Sequence, residues 1–356
     1  MTIQKAIQTL IGTNPKSPNT RDLSDQHMTS VMHSIMSGEA TLSQISGFLV
    51  GLQVKGATVT EVTAAVRVMR GLVTPVDISG CRHIVDTCGT GGDGASTFNI
   101  STASAFVAAA AGATVAKHGN RSMSSSSGSA DVLEAAGVNL DITPEQVKHC
   151  IETIGIGFMF AQKHHGAMKY VSKPRQEIGI RTIFNLLGPL TNPAQASNQV
   201  LGVFGQKWVE PMAQVLKNLG SNHVLIVHAE DPETPEDPEK GLDEISIEST
   251  THIAELKNNE ITCYTITPED FGLKRSKISD LKVKDAEESL VVIKDIFAGK
   301  QGGARDIVVL NAGAAIYVAG LADTLATGVQ LAQTHIDNGN AQAKLAALIA
   351  CSQEKT

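Results

Sequence analysis

The hydrophobic period of this chain changes once along its length, and that change limits the folds open to it. Over residues 1–75, apolar side chains recur at the spacing of one face of an amphipathic helix. From residue 83 onward, short apolar runs of strand length alternate with glycine-rich loops and helical stretches. The pattern predicts an α/β protein: a small all-helical N-terminal domain, then a larger α/β domain with a mostly parallel central sheet flanked by helices.

Four helices are predicted in the first domain, and their ends carry the residues expected there. Thr58 and Glu61 have the spacing of a capping box. Gly38, Gly56 and Gly71 follow the last apolar residues of three segments, where a glycine commonly ends a helix. The apolar positions of the four segments are Ile3, Ile7 and Leu10; Met28, Val31, Met32 and Ile35; Ile45, Phe48, Leu49 and Leu52; and Val62, Ala65, Val66 and Met69.

The second domain begins with a strand, a glycine loop and a helix in direct succession. These are "HIVDT", "CGTGGDGAST" and "ISTASAFVAAAAGA". A strand "TVAK" and a helix "SADVLEAAG" follow, and "QVLGVF", "VEPMAQVLKNLG" and "HVLIVHA" repeat the alternation. Thr143, Pro144 and Gln146 mark another helix start, and the segment from Ala304 to Ala350 has a helical pattern.

Composition excludes several kinds of partner and site. The net charge of −7 provides no basic surface for non-specific nucleic-acid binding, which depends on phosphate neutralisation. Five cysteines are scattered without a CxxC pair, so neither a zinc site nor a disulfide framework is predicted. The first residues lack the apolar core of a signal peptide, and no apolar run approaches the roughly 20 residues of a membrane helix. We expect a cytoplasmic protein with no membrane or nucleic-acid partner.

The glycine loop predicts a site for a phosphorylated ligand. "GTGGDG" formally matches the dinucleotide fingerprint at Gly89, Gly91 and Gly94. A dinucleotide site also needs an acidic residue at the end of the next strand, whereas that strand ends in Lys117 and His118. No Walker A pattern is present either. The expected ligand is therefore neither NAD nor ATP in its usual cradle.

Two consecutive strand ends carry hydrogen-bond donors toward this loop. The helix that follows the loop begins at "NISTAS", where its N-terminus favours an anion. The next strand ends in the segment "KHGNRSMSSSSGSAD", which combines cations with a serine cluster. A solvated polar loop is the alternative for each piece alone. Because parallel strands end at the same edge of a sheet, their joint placement favours a polyanion site.

Adjacent carboxylates at Asp243 and Glu244 are a candidate magnesium site, since Mg²⁺ prefers oxygen ligands and substrate phosphates. They follow an acidic, proline-containing loop at residues 230–241. The alternative for an isolated acidic pair is a solvated surface.

Three long segments resemble the anthranilate phosphoribosyltransferase family. They are "DTCGTGGDGASTFNISTASAFVAAAAGATVAKHGNRSMSSSSGSADVLEAAG", "HHGAMKYVSKPRQEIGIRTIFNLLGPLTNP" and "GLDE". The resemblance covers nearly the whole chain. It implies transfer of the phosphoribosyl group of 5-phosphoribosyl 1-diphosphate to anthranilate, with Mg²⁺, in a homodimer. It further implies a helical domain at 1–75, with a helical segment around 174–190 packed on it, and an α/β domain at 80–356.

The resemblance also implies roles for individual residues. Catalytic roles fall to Lys117, Arg175 and His118, and magnesium ligands to Ser101, Asp243 and Glu244. Contacts to anthranilate, with Arg175 as the carboxylate anchor, come from Gly89, Asn120, Arg175, His118, Gly188 and Pro189. Contacts to the phosphoribosyl diphosphate come from Gly89, Gly92, Asp93, Thr97, Asn99, Ile100, Ser101, Thr102, Lys117, Asn120, Arg121, Ser122, Ser124, Ser125 and Ser129. Ser126 stands where the family often has lysine.

Several alternatives stay open on sequence grounds. An arginine at a helix start, as Arg175 is expected to be, often only covers surface. His118 either shapes the anthranilate slot or accepts a proton, and the first role is favoured. His164 and His165 are interpreted as loop structure beside the substrate channel. For the whole protein, the alternatives are a pyrimidine nucleoside phosphorylase-like enzyme and a non-catalytic nucleic-acid-binding paralogue.

Overall fold

A computed structural model describes residues 1–13, 20–122 and 127–354 and confirms the predicted fold class. Helices come first, and strands and helices then alternate. The helices are α1 (Ile3–Leu10), α2 (Asp25–Met36), α3 (Leu42–Lys55), α4 (Val59–Leu72), α5 (Ile100–Ala110), α6 (Ser129–Ala135), α7 (Pro144–Ile154), α8 (Ala161–His164), α9 (Lys169–Ile178), α10 (Ile183–Leu187), α11 (Val209–Asn218), α12 (Ala286–Phe297), α13 (Gly303–Val318), α14 (Leu325–Asp337) and α15 (Asn340–Ser352). The strands are β1 (Ile84–Gly89), β2 (Thr114–Gly119), β3 (Ile156–Phe160), β4 (Asn198–Gly202), β5 (His223–Glu230), β6 (Gly241–Leu242), β7 (Thr251–Lys257) and β8 (Glu260–Ile266).

The N-terminal helices largely end where their sequences predict. The capping box of Thr58 and Glu61 is present at the start of α4, and Gly56 caps α3 with a φ of 86°. Gly71 was expected to follow α4, and that prediction is wrong, because the residue lies inside the helix and Val73 is the C-cap. An interior glycine costs only about 1 kcal/mol, so the helix continues until Pro75 forces the residue before it out of helical geometry.

The segment around α9 and α10 packs against the N-terminal helices. Val171, Phe184 and Leu187 belong to the same buried apolar cluster as residues of α1–α4. Arg70 of α4 donates a hydrogen bond from its Nε to the carbonyl oxygen of Leu190, at 2.8 Å. This packing joins α9 and α10 to the N-terminal helices.

The described strands form one sheet, in the order β3-β2-β1-β4-β5-β7-β8, with β6 paired to β5. The first five strands of that order are parallel, which confirms a mostly parallel sheet. The antiparallel β7–β8 hairpin was not predicted. Its turn residues Asn258 and Asn259 both have positive φ, and two asparagines between alternating runs are the signal that would have indicated it.

The sheet separates two apolar cores, because successive side chains of a strand point to opposite faces. Along β5, Leu225 and Val227 pack with α5 and α13 on one face, while Val224 and Ile226 pack with α11 and the N-terminal helices on the other. Within the described ranges, no helix has both the length and the apolar character needed to cross a membrane.

Candidate active site

The glycine loop follows β1 at the carboxyl end of the parallel strands, as its position in the sequence predicts. Gly91, Gly92 and Gly94 have φ values of 66°, 79° and 76°, a region that residues with a Cβ rarely adopt. The N–H of Gly91 donates to Asp243 Oδ2 at 2.7 Å, so the loop already holds a carboxyl oxygen.

Asp243 lies on the sheet edge, not on a solvated surface, because glycines beneath it leave room. A Cβ on Gly89 would lie 2.4 Å from Asp243 Oδ2, and one on Gly202 would lie 1.5 Å from the Asp243 carbonyl oxygen. Glycines at the ends of β1 and β4 therefore let the segment after β6 cross them in close contact. The acidic loop 230–241 does not keep the carboxylates away.

Glu244 faces the other half of the loop. Its Oε1 accepts a hydrogen bond from the backbone N–H of Ser101 in the first turn of α5, at 3.0 Å. The carboxyls of Asp243 and Glu244 thus accept hydrogen bonds from backbone N–H groups of the kind that bind phosphate oxygens. One of these N–H groups lies in the glycine loop and the other at a helix N-terminus. The predicted convergence of the two motifs is present in the structure.

Asp243, Glu244 and Asp93 form an acidic cluster, in which the pKa values of Asp243 and Glu244 are raised. Burial, the charges of Asp93 and Glu244, and a hydrogen bond with Asp93 raise the pKa of Asp243 well above its ordinary value. Burial raises the pKa of Glu244 to about 7, although Lys117 and the hydrogen bond from Ser101 lower it. Crowded oxygen ligands that repel one another suit a hard divalent cation, and the cluster therefore fits Mg²⁺.

We expect Glu244→Gln to stabilise the protein at pH 8 in the presence of a chelator and to have little effect at pH 4. The folded chain holds the Glu244 proton up to about pH 7, whereas the unfolded chain releases it near 4.5. The stability due to that proton is complete below about 4.5 and is lost as the pH rises through about 7. Urea unfolding at both pH values measures the gain, expected to be on the order of 1 kcal/mol at pH 8. The exposed Glu236→Gln is the control, and an equal gain at both pH values would contradict the prediction.

Lys117 lies at the end of β2 with 3% of its surface exposed. Its Nζ donates to the carbonyl oxygen of Thr87 at 2.5 Å and to Ser101 Oγ at 3.4 Å. Burial lowers its pKa, while the charges of Asp86 and Glu244 oppose that shift. The ammonium therefore lies between the two strand ends, beside the Ser101 hydroxyl.

The other residues near the start of α5 that are predicted to contact the ligand differ in the hydrogen-bonding groups that they leave available. Asn99 Oδ1 accepts from Ser289 Oγ at 2.7 Å and from Ser127 Oγ at 2.8 Å, so this side chain braces the loop. The side chain of Ile100 is buried in the core, which leaves only its backbone for a ligand. The Thr102 hydroxyl is buried without a hydrogen-bond partner among the described residues. Thr97 forms an isolated β-bridge with Lys282.

Three predicted or singled-out residues of the serine-rich segment, Ser124, Ser125 and Ser126, lie outside the described residues. Arg121 turns to α6, where its Nη1 donates to Asp131 at 3.0 Å and its guanidinium also pairs with Glu134. Two carboxylates therefore hold this guanidinium, and its contact to the diphosphate stays a prediction. The Ser122 N–H also donates to Asp131, at 3.0 Å.

Helix α6 begins at Ser129, as predicted. Ser129 Oγ donates to the carbonyl oxygen of Asn120 at 3.5 Å, and the side chain of Asn120 accepts from the N–H of Arg121. Asn120 is exposed at the mouth of the site.

The predicted anthranilate residues come from three elements. Arg175 lies within α9, directly after Pro174, and not at a helix start as the sequence suggested. Its guanidinium lies 5.4 Å from the centre of the Phe184 ring, and no carboxylate in the described ranges forms an ion pair with it. Burial lowers its pKa. A partly buried guanidinium without a carboxylate partner is suited to bind one from a ligand.

Gly188 and Pro189 lie in a 3₁₀ turn after α10 and contact the strand ends through their carbonyl oxygens. The Gly188 oxygen lies 3.1 Å from His118 Nε2, and the Pro189 oxygen accepts from Gln199 Nε2 at 2.8 Å. His164 is the last residue of α8, so its interpretation as loop structure is wrong, whereas His165 follows the helix as its C-cap. The His164 side chain is buried, with its Nδ1 2.8 Å from the Thr74 carbonyl oxygen.

Sequence reasoning did not identify Asp86, Gln199 or Gly202 as part of the site. Asp86 is fully buried and contacts His118, and Gln199 joins Asp86 to the turn at Pro189. A charged residue inside the apolar strand "HIVDT" is the signal for Asp86. Gly202 has no comparable signal, because its importance depends on a segment forty residues later in the chain.

Comparison with known proteins relates both parts of the chain to glycosyl transferases. Residues 5–72 match the model of the glycosyl transferase family, helical bundle domain, and residues 81–342 match that of the glycosyl transferase family, a/b domain. An anthranilate phosphoribosyltransferase of Thioalkalivibrio sulfidiphilus is 60% identical over 92% of this chain and 94% of its own. One from Methylococcus capsulatus is 54% identical over 99% of both chains.

Solved structures show the same relationship. The crystal structure of anthranilate phosphoribosyltransferase from Thermus thermophilus is 38% identical, with a TM-score of 0.87 over 98% of this chain and 99% of that one. The enzyme from Saccharomyces cerevisiae, solved in complex with PRPP (5-phosphoribosyl 1-diphosphate) and Mg, has a TM-score of 0.84 over 98% and 97% at 24% identity, and it supports the fold alone. By its motifs, its fold and these identities, the chain belongs to the anthranilate phosphoribosyltransferase family.

Proposed function

We propose that this chain transfers the 5-phosphoribosyl group of PRPP to the amine of anthranilate, a step of tryptophan biosynthesis. The products are N-(5-phosphoribosyl)anthranilate and pyrophosphate. One observation carries the proposal. The N–H groups of Gly91 and Ser101 converge with the carboxylates of Asp243 and Glu244 and the ammonium of Lys117, which together suit a diphosphate and its metal ion.

The donor half of the site is assigned to the glycine loop and the start of α5. Gly89, Gly92 and Asp93 border the diphosphate, and the N–H and hydroxyl groups of Ser101 and Thr102 meet it at the helix N-terminus. The unpaired hydroxyl of Thr102 gains a partner in this arrangement. The wall of the donor site is assigned to Thr97, Asn99, Asn120, Ser122 and Ser129. Arg121 must first leave Asp131 and Glu134 to contact the diphosphate. Ser124 and Ser125, outside the described residues, stay predicted contacts of the diphosphate.

Mg²⁺ is assigned to Asp243, Glu244 and the Ser101 hydroxyl, with Asp93 adjacent. When bound, the metal supplies charge stabilisation for the departing pyrophosphate. The protein must release the protons of two carboxyls before it binds the metal, since burial and mutual repulsion raise the pKa of both Asp243 and Glu244.

The acceptor half lies between α9 and the turn at Gly188 and Pro189. Arg175 holds the carboxylate of anthranilate, which a guanidinium grips with two parallel hydrogen bonds. Asn120 lies toward the amine, and His118 borders the slot.

An aromatic amine is weakly basic and therefore a poor nucleophile. The reaction consequently depends on making ribose C1 more electrophilic. The bond from ribose C1 to the diphosphate oxygen breaks with its electron pair leaving on pyrophosphate, through an oxocarbenium-like state. The amine nitrogen then bonds to C1, and the resulting ammonium loses its proton to water or to the departing pyrophosphate. Lys117 and the N–H groups of Gly91 and Ser101 stabilise the negative charge that leaves, and Arg175 aligns the amine.

The test is the loss of anthranilate fluorescence on addition of PRPP, with Mg²⁺ and again with a chelator. We expect a decay that requires both PRPP and the metal. The absence of decay under every condition would contradict the proposal, and release of uracil from uridine and phosphate would then support a nucleoside phosphorylase.

We expect Arg175→Ala to raise the KM for anthranilate about ten- to a hundredfold while changing the KM for PRPP less than twofold. The substitution removes hydrogen bonds to a charged group, which are worth about 1.5–3 kcal/mol. Steady-state kinetics with each substrate varied in turn provides the measurement. Lys173→Ala on an exposed turn of the same helix is the control, and an equal rise in both KM values would exclude the anchor role.

We also propose that residues 1–75, with 174–190 packed on them, and residues 80–356 act as two domains that close on the substrates. The packing of α9 and α10 on α1–α4 supports the first of these units, and the same apolar cluster continues into β5 and α11 of the second. We further propose that the protein forms a homodimer and is located in the cytoplasm. Analytical ultracentrifugation tests the oligomeric state.

A further inference from the structure

A buried polar cluster lies behind the proposed anthranilate slot, and its central group is the carboxylate of Asp86. Asp86 Oδ2 lies 2.6 Å from His118 Nδ1, and Asp86 Oδ1 accepts from the backbone N–H of His118 at 3.3 Å. One carboxylate therefore holds both the backbone and the ring of the same residue. This two-point contact between β1 and β2 fixes the orientation of the imidazole.

The opposite nitrogen of the ring also faces an acceptor. His118 Nε2 lies 3.1 Å from the carbonyl oxygen of Gly188. A neutral imidazole has one N–H and one lone pair, so it satisfies only one of these two oxygens and directs its lone pair at the other. A ring with both protons donates to the carboxylate and to the carbonyl.

The surroundings of the ring agree with a positive charge on it. Burial alone would raise the pKa of the Asp86 carboxyl, but His118 and Lys117 hold it below its ordinary value. Burial lowers the pKa of His164 and brings that of His165 to about 4, and the charge of His118 contributes to both shifts. Both neighbouring histidines are therefore neutral at pH 7 and place no positive charge beside the His118 ring.

Other groups around the ring complete a hydrogen-bond network. Gln199 Nε2 donates to Asp86 Oδ2 at 3.2 Å and to the Pro189 carbonyl oxygen at 2.8 Å. Asn192 Nδ2 donates to the Ala116 carbonyl oxygen at 2.8 Å and lies 3.4 Å from His118 Nδ1.

A metal ion is an unsuitable occupant of this cluster, although Asp86, Cys88 and His118 place ligand atoms within 4.8 Å of one another. The Lys117 ammonium interacts with the same carboxylate, and Gln199 donates to Cys88 Sγ at 3.2 Å. Burial raises the pKa of the Cys88 thiol well above its ordinary value, which disfavours the thiolate that a metal requires.

We propose that Asp86 is a positioning residue for the aromatic acceptor. It holds the imidazole of His118 doubly protonated against Gly188, so that His118 is a fixed cation beside the slot and not a proton acceptor. A negatively charged aromatic acid gains from a second positive group in addition to Arg175, and a fixed ring costs no reorganisation when the acid binds. The proposal rests on the transfer reaction proposed above, and it decides between the two roles that the sequence left open for His118.

Asp86→Asn tests this proposal. The amide still accepts one hydrogen bond from the His118 ring, but it has no negative charge to stabilise the second ring proton. We expect the KM for anthranilate and the inhibition constant of benzoate, which has the carboxylate without the amine, to rise at least tenfold. The KM for PRPP should change less than twofold. Conversely, equal changes for all three ligands, or no change for anthranilate and benzoate, would overturn the proposal.

A second measurement on the wild-type protein does not depend on the folding of the variant. Histidine ring ¹⁵N spectra at pH 7.5, assigned with His118→Gln, should show both nitrogens of His118 in the protonated range. An unprotonated nitrogen in the wild-type spectrum would overturn the proposal. Wild-type turnover is measured first, so that failure of the transfer reaction itself is distinguished from failure of the role of Asp86. The exposed His149→Gln is the matched control.

Discussion

Gly202→Ala is expected to reduce kcat/KM about a hundredfold or more, the loss that a displacement of catalytic groups by 1 Å can cause. The Cβ would lie 1.5 Å from the carbonyl oxygen of Asp243 and 2.4 Å from its carbonyl carbon. The atoms in conflict are backbone, so the segment that carries Asp243 and Glu244 must move. The metal ligands then leave the N–H groups of Gly91 and Ser101.

The measurement is steady-state kinetics as a function of Mg²⁺ concentration, together with thermal unfolding. We expect a higher Mg²⁺ requirement and a loss of stability of about 1–3 kcal/mol from overpacking. Gly205→Ala is the matched control, because its Cβ would meet no atom closer than 3.6 Å and should leave activity within twofold of wild type. If Gly202→Ala keeps more than a tenth of the activity, the close contact between β4 and Asp243 does not position the metal site.

Lys117→Met is expected to lower kcat about 10²–10³-fold, the loss typical of removing one preorganised group that stabilises developing charge. Methionine fills a similar volume but leaves the Ser101 hydroxyl and the departing pyrophosphate without the ammonium. The substitution has a second effect on the metal ligands. The charge of Lys117 lowers the pKa of Glu244, so its removal raises that pKa further and weakens Mg²⁺ binding near neutral pH.

Single-turnover kinetics at saturating substrates separates these two effects. Excess Mg²⁺ and pH 8.5 should recover the metal-binding part, while the defect in the chemical step remains. Lys163→Met, which removes an exposed lysine, serves as the control for loss of a charge. Complete recovery of kcat at high Mg²⁺ would show that Lys117 acts only through the metal site.

The fold was predictable because its signals are local. The helical period of residues 1–75, the capping boxes at Thr58 and Thr143, and the glycine loop after β1 each depend on residues a few positions apart. The exceptions have physical reasons as well. Gly71 continues α4 since an interior glycine costs little, and β7 and β8 were missed although Asn258 and Asn259 mark their turn.

The site was predictable only in part. The order of strand, glycine loop and helix predicts that Gly91, Ser101 and Lys117 meet at one sheet edge, and they do. The contacts of Arg121 were not predictable, because Asp131 and Glu134 compete for its guanidinium. The burial of Asp243 also required the structure, since an acidic pair after an acidic loop resembles solvated surface.

The sequence by itself determined the elements, their order and the motifs that carry phosphate chemistry, because propensity, period and turn residues act over short stretches of chain. Only the tertiary structure decided how strongly these groups affect one another. Asp86 on β1 contacts His118 on the neighbouring strand β2, and Glu244 contacts Ser101, which is 143 residues away in the sequence. Desolvation and Coulomb energy depend on distances in space and on the exclusion of water, so the charge states that the chemistry needs arise only when the chain has folded.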